Sequence, residues 1–421
     1  MILSQYLDKK FFLPFLTLSI SLVNFFFVVN ITNFLGPTRL LDLNFVIYGI
    51  VIFISGQLGT LLSNSYIPYV RQKRNEMVTE FNEIYFLSGF FIFTSFLAAI
   101  FTIIGLFLSP DLSALIIFYG FFLFLLLVNQ FISLRILEVK ENYLNIQLIN
   151  FCISLISLIA FFRISHLGLY SISFSLFVAQ FIGLFFLLFQ DNYKKFFFSF
   201  KNIFDYLIIF LTFLIKNIKA IIALSIFAVA SLIDPFFLVY LKDGEYSLHT
   251  LSMRIIIAAT STYYASFGII FTNDISKNEI SSKEKNSMFK KIFFIIILIS
   301  ILSFSFLLLI HNNYEFWSYF FNIPESKLNY FSNSLLYNSL LIFPMLFFGY
   351  YFRYNIANNQ NGKLLTILFS FITTYILSII LFKYLNVQYI LQFSLFISWW
   401  LCVFAVLIYE FLKKVVRPRY A

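Results

Sequence analysis

Residues 112–134 have the sequence LSALIIFYGFFLFLLLVNQFISL, and this stretch decides the fold. It contains no charged side chain, and a helix built from it would be apolar on every face. A helix needs roughly 20 mostly apolar residues to cross the hydrocarbon core of a bilayer. Ser109, Pro110 and Asp111 form a turn signal before the stretch, and Arg135 follows it. The stretch therefore predicts a membrane-spanning helix.

Eleven further segments of the same kind predict an all-α integral membrane protein with about twelve transmembrane helices. The shorter apolar segment 203–215 predicts an interfacial helix or an early extension of the seventh span, but not a thirteenth span. The eleven segments cover approximately residues 12–34, 40–66, 84–108, 143–162, 168–189, 217–241, 248–272, 289–310, 331–352, 364–385 and 390–412.

The overall composition agrees with a membrane protein and excludes a soluble globule. Apolar residues make up 61% of the 421 residues and charged residues only 11%, whereas soluble domains carry about 25% charged residues. Two cysteines and three histidines are too few for a disulfide framework or for most metal chemistry. The sequence also lacks a phosphate-binding glycine loop and a polar catalytic cluster. We therefore expect neither an enzyme nor a cofactor, apart from a possible coupling ion, Na⁺ or H⁺.

The basic residues predict the orientation in the membrane. With the N-terminus in the cytoplasm, the twelve spans place 23 of the 29 lysines and arginines in cytoplasmic segments and 5 outside, and Arg254 alone falls within a span. This bias follows the positive-inside rule and predicts that both termini are cytoplasmic. The net charge of +10 is thus a topology signal, and we expect no nucleic-acid partner. The chain is therefore predicted to cross its membrane many times.

Two longer polar interruptions suggest how the chain is organised. They cover residues 190–202 and 273–288, and the first divides the spans into two sets of six. We predict a six-helix bundle over residues 1–190, a cytoplasmic or interfacial linker over 191–216, and a second six-helix bundle over 217–421. Many transporters are built from two such halves.

Three charged residues within spans are candidates for function, since a charge in the membrane is costly. Asp42 lies near the outer start of the second span, Asp234 near the outer end of the seventh, and Arg254 early in the eighth. Pro235 follows Asp234 and should distort the helix there. One interpretation is a polar gate or a site for an anionic ligand. The alternative is a structural Asp–Arg pair, or charges that extend to the headgroups.

Neutral polar residues give a weaker signal. Asn24 and Asn30 in the first span and Gln57 in the second could line an aqueous cavity, and Asn129 could do so in the fourth. The alternative is that they form hydrogen bonds between helices. The histidines, which are His166, His249 and His311, are expected to be filler at the outer ends of spans.

Three groups of residues, in chain order, carry a family resemblance. They are Phe34–Gly36 with Asp42–Phe45 and Ser65–Pro68; Ser231–Asp234 with Gly244–Ser247 and Leu251–Arg254; and Tyr350–Arg353 with Asn361–Lys363. They resemble the first two spans, the seventh and eighth spans, and the turn after the tenth span of the MurJ/MviN lipid II flippases. That family belongs to the MOP superfamily, which includes Wzx-type O-antigen flippases and MATE exporters. The resemblance implies an MOP-like fold and a transporter.

Departures from the family pattern narrow the expected substrate. The first span has no charge between Lys10 and Arg39, where lipid II flippases have arginines, and the chain has twelve spans instead of fourteen. Arg254 and Arg39 remain as partners for a pyrophosphate. The favoured hypothesis is a monomeric flippase for a polyprenyl-pyrophosphate-linked oligosaccharide. The alternatives are a lipid II flippase, a MATE-like exporter and a polysaccharide polymerase or ligase, although the outer loops are short for the last.

Overall fold

The computed structural model describes residues 2–61, 80–140, 143–190, 203–224, 226, 229–275, 282–311, 313–357 and 361–416. Within these ranges the secondary structure is helical and contains no strand, which confirms the predicted all-α class. The chain divides into two compact units. The N-terminal unit contains Met1–Leu35 and Leu43–Ser225, and the C-terminal unit contains Gly36–Asp42 and Ile226–Ala421.

Fifteen α-helices are described in these ranges. The first seven are α1 (Ile2–Leu35), α2 (Arg39–Leu61), α3 (Glu80–Leu108), α4 (Ser113–Lys140), α5 (Tyr143–Ile164), α6 (Tyr170–Gln190) and α7 (Ile203–Leu224). The others are α8 (Ala230–Ile233), α9 (Glu245–Ile275), α10 (Ser282–His311), α11 (Tyr314–Ser318), α12 (Glu325–Ser339), α13 (Ile342–Ala357), α14 (Asn361–Tyr384) and α15 (Ile390–Val416). Short 3-10 helices cover Pro110–Leu112, Ser165–Leu167 and Asp234–Tyr240.

Most of the predicted spans are continuous helices of sufficient length. Within the described residues, nine helices are long and apolar enough to cross a membrane, and the bent pair α12–α13 would be a tenth. The predicted span over 248–272 lies in α9, a more polar helix of 31 residues. Such a helix is about 46 Å long, which exceeds the ~30 Å hydrocarbon core.

The prediction of one continuous helix over 217–241 is wrong. Residues 203–224 form the single helix α7, so the segment 203–215 is the first part of a helix of 22 residues. The four-residue helix α8 and the 3-10 helix Asp234–Tyr240 then follow. Pro235 lies at the start of the 3-10 helix, as expected for a residue that lacks an amide hydrogen.

A second proline accounts for the bend between α12 and α13, which meet at 41°. Pro344 lies in the first turn of α13 and cannot donate to the carbonyl of Leu340, four residues earlier. That carbonyl instead accepts a hydrogen bond from Nε1 of Trp400 on α15, at 3.1 Å. The sequence therefore breaks the helix and supplies a side-chain donor for the carbonyl that is released.

Aromatic side chains form the core of the N-terminal unit. Phe86 and Phe90 of α3 pack against Phe210 of α7, with ring centroids 5.3 and 5.5 Å apart. The two helices come close because α3 has Gly89 at their contact, where an added Cβ would lie 2.1 Å from the carbonyl oxygen of Tyr206. This contact places all of α7 in the N-terminal unit.

In the C-terminal unit, α12 and α13 lie at the centre. Helices α9, α10 and α15 each pack against both of them, and α14 packs mainly against α15. The buried surfaces of α9, α12 and α15 contain several small polar side chains, and these form the sites described next.

Candidate functional site

Asp42 caps the N-terminus of a distant helix. Its carboxylate is fully buried. Oδ2 accepts the amide hydrogen of Gly244 at 3.0 Å, and Oδ1 accepts that of Ser247 at 2.8 Å. These amides belong to the first turn of α9, where backbone donors have no partner within the helix and the helix dipole favours a negative charge. Asp42 therefore stabilises the start of α9 as an N-cap side chain does, but from another helix.

Gly244 is required for this contact. Its φ angle is +84°, and a Cβ at this position would lie 2.1 Å from the carbonyl oxygen of Pro37. Any other residue would strain the backbone and collide with the segment that carries Asp42. The Gly244-x-x-Ser247 spacing thus brings two amides to one carboxylate at a point where two backbones touch.

Residues 36–42 have further hydrogen bonds within the C-terminal unit. Nη1 of Arg39 donates to the carbonyl oxygen of Leu238 at 2.9 Å, and Nζ of Lys327 donates to that of Pro37 at 2.7 Å. The 36–42 segment is therefore attached to the 3-10 helix Asp234–Tyr240, to the start of α9 and to α12. Because α2 begins at Arg39, its first turn belongs to the C-terminal unit and the rest of it to the N-terminal unit.

Asp234 has a different partner. It is buried at the start of the 3-10 helix, and its Oδ1 accepts the hydroxyl hydrogen of Tyr375 on α14 at 2.5 Å. Tyr375 is also fully buried and stacks on Phe371. The sequence predicts similar depths for Asp42 and Asp234, and the structure gives each its own set of contacts.

Arg254 is half-buried on α9. It follows Ser247 by seven residues, and hence lies about 10 Å further along the helix axis. Asp42 is engaged at the beginning of the same helix with the amides of Gly244 and Ser247. The structure therefore places Arg254 on α9 about two turns beyond the amides that bind the carboxylate of Asp42, which itself belongs to α2.

The predicted neutral residues lie in the N-terminal unit. Asn24 is exposed, and Nδ2 of Asn30 donates to the carbonyl oxygen of Phe26 in the preceding turn at 2.7 Å. The side chain of Gln57 lies outside the described part of the structure. Asn129 links α4 to α6, because its Nδ2 donates to the backbone and side-chain oxygens of Gln180 at 2.8 and 2.7 Å. Asn129 thus follows the alternative interpretation, an interhelical hydrogen bond.

A buried polar network in the C-terminal unit was missed by the sequence analysis. Gln392 of α15 donates to the hydroxyl of Ser334 on α12 at 2.7 Å, and that hydroxyl lies 2.9 Å from the hydroxyl of Ser252 on α9. Nδ2 of Asn338 donates to Ser252 at 2.7 Å and lies 3.5 Å from Nδ1 of His249. We call these five residues the His249 network. At most 2% of the surface of any member is exposed.

The expectation for His249 is therefore wrong. The sequence assigns it to the interfacial end of a span, but it is buried against α12 because Asn338 and Ser252 offer it a polar environment. His166, by contrast, is exposed in the 3-10 helix Ser165–Leu167. The pairs His249/Ser252 on α9 and Ser334/Asn338 on α12 each lie on one helix face because of their spacing. This spacing is the weak sequence signal that could have indicated a polar network.

These features define a class of protein before any comparison. The chain is a multi-span, all-α membrane protein in two helical units, with broken helices and buried charged groups, features that also occur in the folds of many secondary transporters. No protein-family model and no curated protein matches the sequence.

Solved structures identify the fold. The lipid II flippase MurJ in an inward closed conformation has a TM-score of 0.69 and 14% identity, over 96% of this chain and 89% of that one. A MATE transporter in complex with MaL6 has a TM-score of 0.69 and 12% identity, over 96% and 95%. An outward-facing multidrug resistance MATE transporter of the MOP superfamily has a TM-score of 0.64 and 12% identity, over 97% and 95%. The chain has the MOP fold, which confirms the fold implied by the resemblance.

Proposed function

We propose that this protein is a flippase that moves a polyprenyl-pyrophosphate-linked oligosaccharide across the bacterial inner membrane. The fold, shared with a lipid II flippase and with MATE transporters, supports a transporter. The observation that carries the choice of substrate is Arg254, a half-buried guanidinium on α9 and the one basic residue that the span assignment places inside a span.

The chemistry of a pyrophosphate matches such a residue. A guanidinium can donate two parallel hydrogen bonds to phosphate oxygens, and it keeps its charge at any physiological pH. In surroundings of low dielectric this attraction is stronger than in water. Arg254 would bind the pyrophosphate while the glycan occupies an aqueous cavity and the polyprenyl chain remains in lipid.

The 36–42 segment would control access at the start of α9. Asp42 holds the amides of Gly244 and Ser247, while Arg39 and Lys327 hold neighbouring carbonyl oxygens. In transport by alternating access, one aqueous end closes before the other opens. Release of Asp42 from α9 would open the end at which this helix begins, which the charge bias predicts to be the outer end.

The orientation and the driving force complete the proposal. Both termini would be cytoplasmic, and one chain would suffice for transport. A coupling ion or the membrane potential would drive the cycle, since the potential contributes about 2.3 kcal/mol per charge per 100 mV. No catalytic residue is required.

Replacement of Arg254 by alanine tests the substrate assignment. Charged hydrogen bonds contribute about 1.5–3 kcal/mol, so surface polysaccharide in a complemented deletion strain should fall at least about tenfold. Arg254→Lys keeps the charge but loses the two-pronged geometry, and it should restore only part of the product.

The matched control is Arg163→Ala, which removes an exposed arginine at the end of α5 and should leave the product unchanged. Equal amounts of each variant in the membrane must be verified by immunoblot. Undiminished polysaccharide in the Arg254→Ala strain would refute the proposed role of this residue.

A MATE-like exporter is the second candidate, and one observation favours it. A MATE transporter matches the fold of this chain as well as MurJ does, with a TM-score of 0.69 in both cases. This hypothesis predicts that deletion lowers resistance to cationic drugs and leaves surface polysaccharide intact. The two assays on one deletion strain therefore separate the candidates.

A further inference from the structure

His249 is a buried ionisable residue to which the proposed cycle assigns no role. It lies in the second turn of α9 and is 2% exposed. Histidine is the side chain that changes charge near physiological pH, and ionisable groups within membrane spans commonly mark proton or ion pathways. The surroundings of His249 decide whether it can bind and release a proton.

The hydrogen-bond directions in the network suit a neutral imidazole. The hydroxyl of Ser252 donates to the carbonyl oxygen of His249 at 2.7 Å, so it accepts from both Ser334 and Asn338. Ser334 in turn accepts from Gln392. The amide nitrogen of Asn338 thus points its hydrogens toward Ser252 and toward Nδ1 of His249, 3.5 Å away. In this arrangement Nδ1 faces a donor and is the unprotonated nitrogen of the ring.

Protonation would reverse this arrangement. A hydrogen on Nδ1 would face the NH₂ group of Asn338, so that two donors would oppose each other. An acceptor that could receive this hydrogen is present. Oδ1 of Asn338 is buried and has no hydrogen-bond partner among the described residues, and the same is true of Oε1 of Gln392. Rotation of the Asn338 amide would offer Oδ1 to His249, but it would break the bond to Ser252.

This rearrangement would affect three helices at once. Ser252 lies on α9, Ser334 and Asn338 on α12, and Gln392 on α15. Loss of a further hydrogen bond in a buried polar network is costly, because no water is at hand to replace the lost partner. A proton on His249 would therefore weaken the contact of α9 with α12 and, through Ser334, the contact of α12 with α15.

No carboxylate hydrogen-bonds to the imidazole among the described residues. Both oxygens of Asp42 are occupied by amides of α9, and residues 390–400 of α15 contain no charged or histidine side chain. The elements packed around His249 carry the following charged or titratable residues in the sequence: Glu245, Tyr246, Arg254, Tyr263, Tyr264 and Asp274 on α9; Glu325, Lys327, Tyr330 and Tyr337 on α12; Tyr350, Tyr351, Arg353 and Tyr354 on α13; Lys283, Glu284, Lys285, Lys290, Lys291 and His311 on α10; Tyr409, Glu410, Lys413 and Lys414 on α15; and Arg39 and Asp42 at the start of α2. An imidazolium would thus be stable only after the network opens to water.

We propose that His249 is the proton-binding site of the transport cycle, an inference that rests on the proposed function. A proton from water at the start of α9 binds the imidazole nitrogen and opens the His249 network. It leaves to water on the cytoplasmic side when the network closes again. Proton entry down its gradient is in this way coupled to opening of the end that Asp42 holds closed.

Hydrogen–deuterium exchange of the full-length protein in nanodiscs tests this inference without any substrate. Exchange of amides in 244–252 and 330–339 is compared at about pH 7.5 and about pH 5.5, after correction for the intrinsic effect of pH on exchange. We expect about tenfold faster corrected exchange at the lower pH in the wild type and no change in His249→Gln. His166→Gln is the matched control and should behave as the wild type.

Two results would overturn the inference: equal corrected exchange at both pH values in the wild type, or a pH response that persists in His249→Gln. If His249→Gln does not fold, histidine ¹⁵N spectra of the wild type decide instead. The chain has three histidines, and the variants His166→Gln and His311→Gln assign the remaining signal. A His249 signal that stays neutral while the exchange rises would also overturn it.

The polysaccharide assay separates this inference from the proposed function. If the wild-type gene fails to restore surface polysaccharide but exchange responds to pH through His249, the proposed substrate is wrong and the proton site stands. If polysaccharide is restored while exchange ignores pH, the flippase stands and the proton site is wrong.

Discussion

A single carboxylate, Asp42, joins two segments that are about 200 residues apart in the chain. Its two oxygens accept the amides of Gly244 and Ser247, and Gly244 has the left-handed backbone that lets Pro37 approach. A buried charge is tolerated here because each carboxylate oxygen accepts a hydrogen bond and the positive end of the helix dipole stabilises the negative charge. Any replacement that removes the charge or one acceptor oxygen should therefore destabilise the first turn of α9.

We predict that Asp42→Asn lowers the stability of the protein by about 2 kcal/mol, because the new NH₂ group faces a backbone amide and leaves a buried donor unsatisfied. Thermal unfolding of the purified protein in detergent should show a lower midpoint. Asp205→Asn is the matched control. Asp205 is an exposed acid in the first turn of α7, so its replacement should change stability by less than about 0.5 kcal/mol. Equal midpoints for Asp42→Asn and the wild type would contradict this account.

The sequence could single out Asp42, Asp234 and Arg254 as candidates for function, because charges in apolar spans are rare whatever their neighbours. It could not identify their partners. Backbone amides such as those of Gly244 and Ser247 have no side-chain signature, and Tyr375 is one of 26 tyrosines. His249 was misassigned for the same reason, since its burial depends on polar residues of two other helices.

At the scale of helices, the length and apolarity of the segments were sufficient to predict most spans, but they did not predict where a helix is broken or bent. The proline at 235 was recognised as a distortion, whereas the break before α8 was not expected. The bend between α12 and α13 was not predicted either, although Pro344 lies beside it. What the sequence did not show is that Trp400 supplies a donor for the released carbonyl of Leu340. Such compensation depends on the packing of α15.

Helix α7 illustrates a different limit. Its apolar first half suggested an interfacial helix or a longer span, and both interpretations were open from composition alone. The position of α7 depends on Gly89 of α3, because a glycine there leaves room for the backbone of Tyr206. A missing side chain on one helix thus positions another helix more than a hundred residues later, and hydrophobic patterning cannot reveal it.

We predict that Trp400→Phe destabilises the protein by about 1 kcal/mol, because the partly buried carbonyl of Leu340 then lacks its donor. Adding Pro344→Ala should recover part of this loss, because this substitution restores a backbone amide that can donate to Leu340 within a straighter helix. Unfolding midpoints of the two single variants and the double variant measure the coupling.

Trp317→Phe is the matched control for this cycle. Trp317 is buried, and its Nε1 has no hydrogen-bond partner among the described residues, so no hydrogen bond is lost. Its effect should be smaller than that of Trp400→Phe. If the effects at Trp400 and Pro344 were simply additive, the proposed role of Trp400 at the bend would be wrong.

At the scale of the whole molecule, the fold and the charge bias answer different questions. The fold shared with MurJ and MATE transporters establishes how the helices are arranged. The distribution of lysines and arginines predicts which end of each helix faces the cytoplasm, and every statement about an outer or inner end depends on it. Helix α14 offers a direct test, because its two ends are described and accessible. Gly362 at its start is exposed and has open space around an added Cβ, and Leu385 just after its end is 57% exposed.

We predict that, in a background with Cys152→Ser and Cys402→Ala, a membrane-impermeant maleimide labels Leu385→Cys in intact spheroplasts. Gly362→Cys should be labelled only after the membrane is disrupted, because Lys363 and its basic neighbours in sequence assign that end to the cytoplasm. The opposite labelling pattern would mean that the predicted orientation in the membrane is inverted. Asp42 and the start of α9 would then lie at the cytoplasmic end, and the proposed direction of proton entry through His249 would reverse. Labelling of both positions from one side would mean that α14 does not cross the membrane, in conflict with its length of 24 residues.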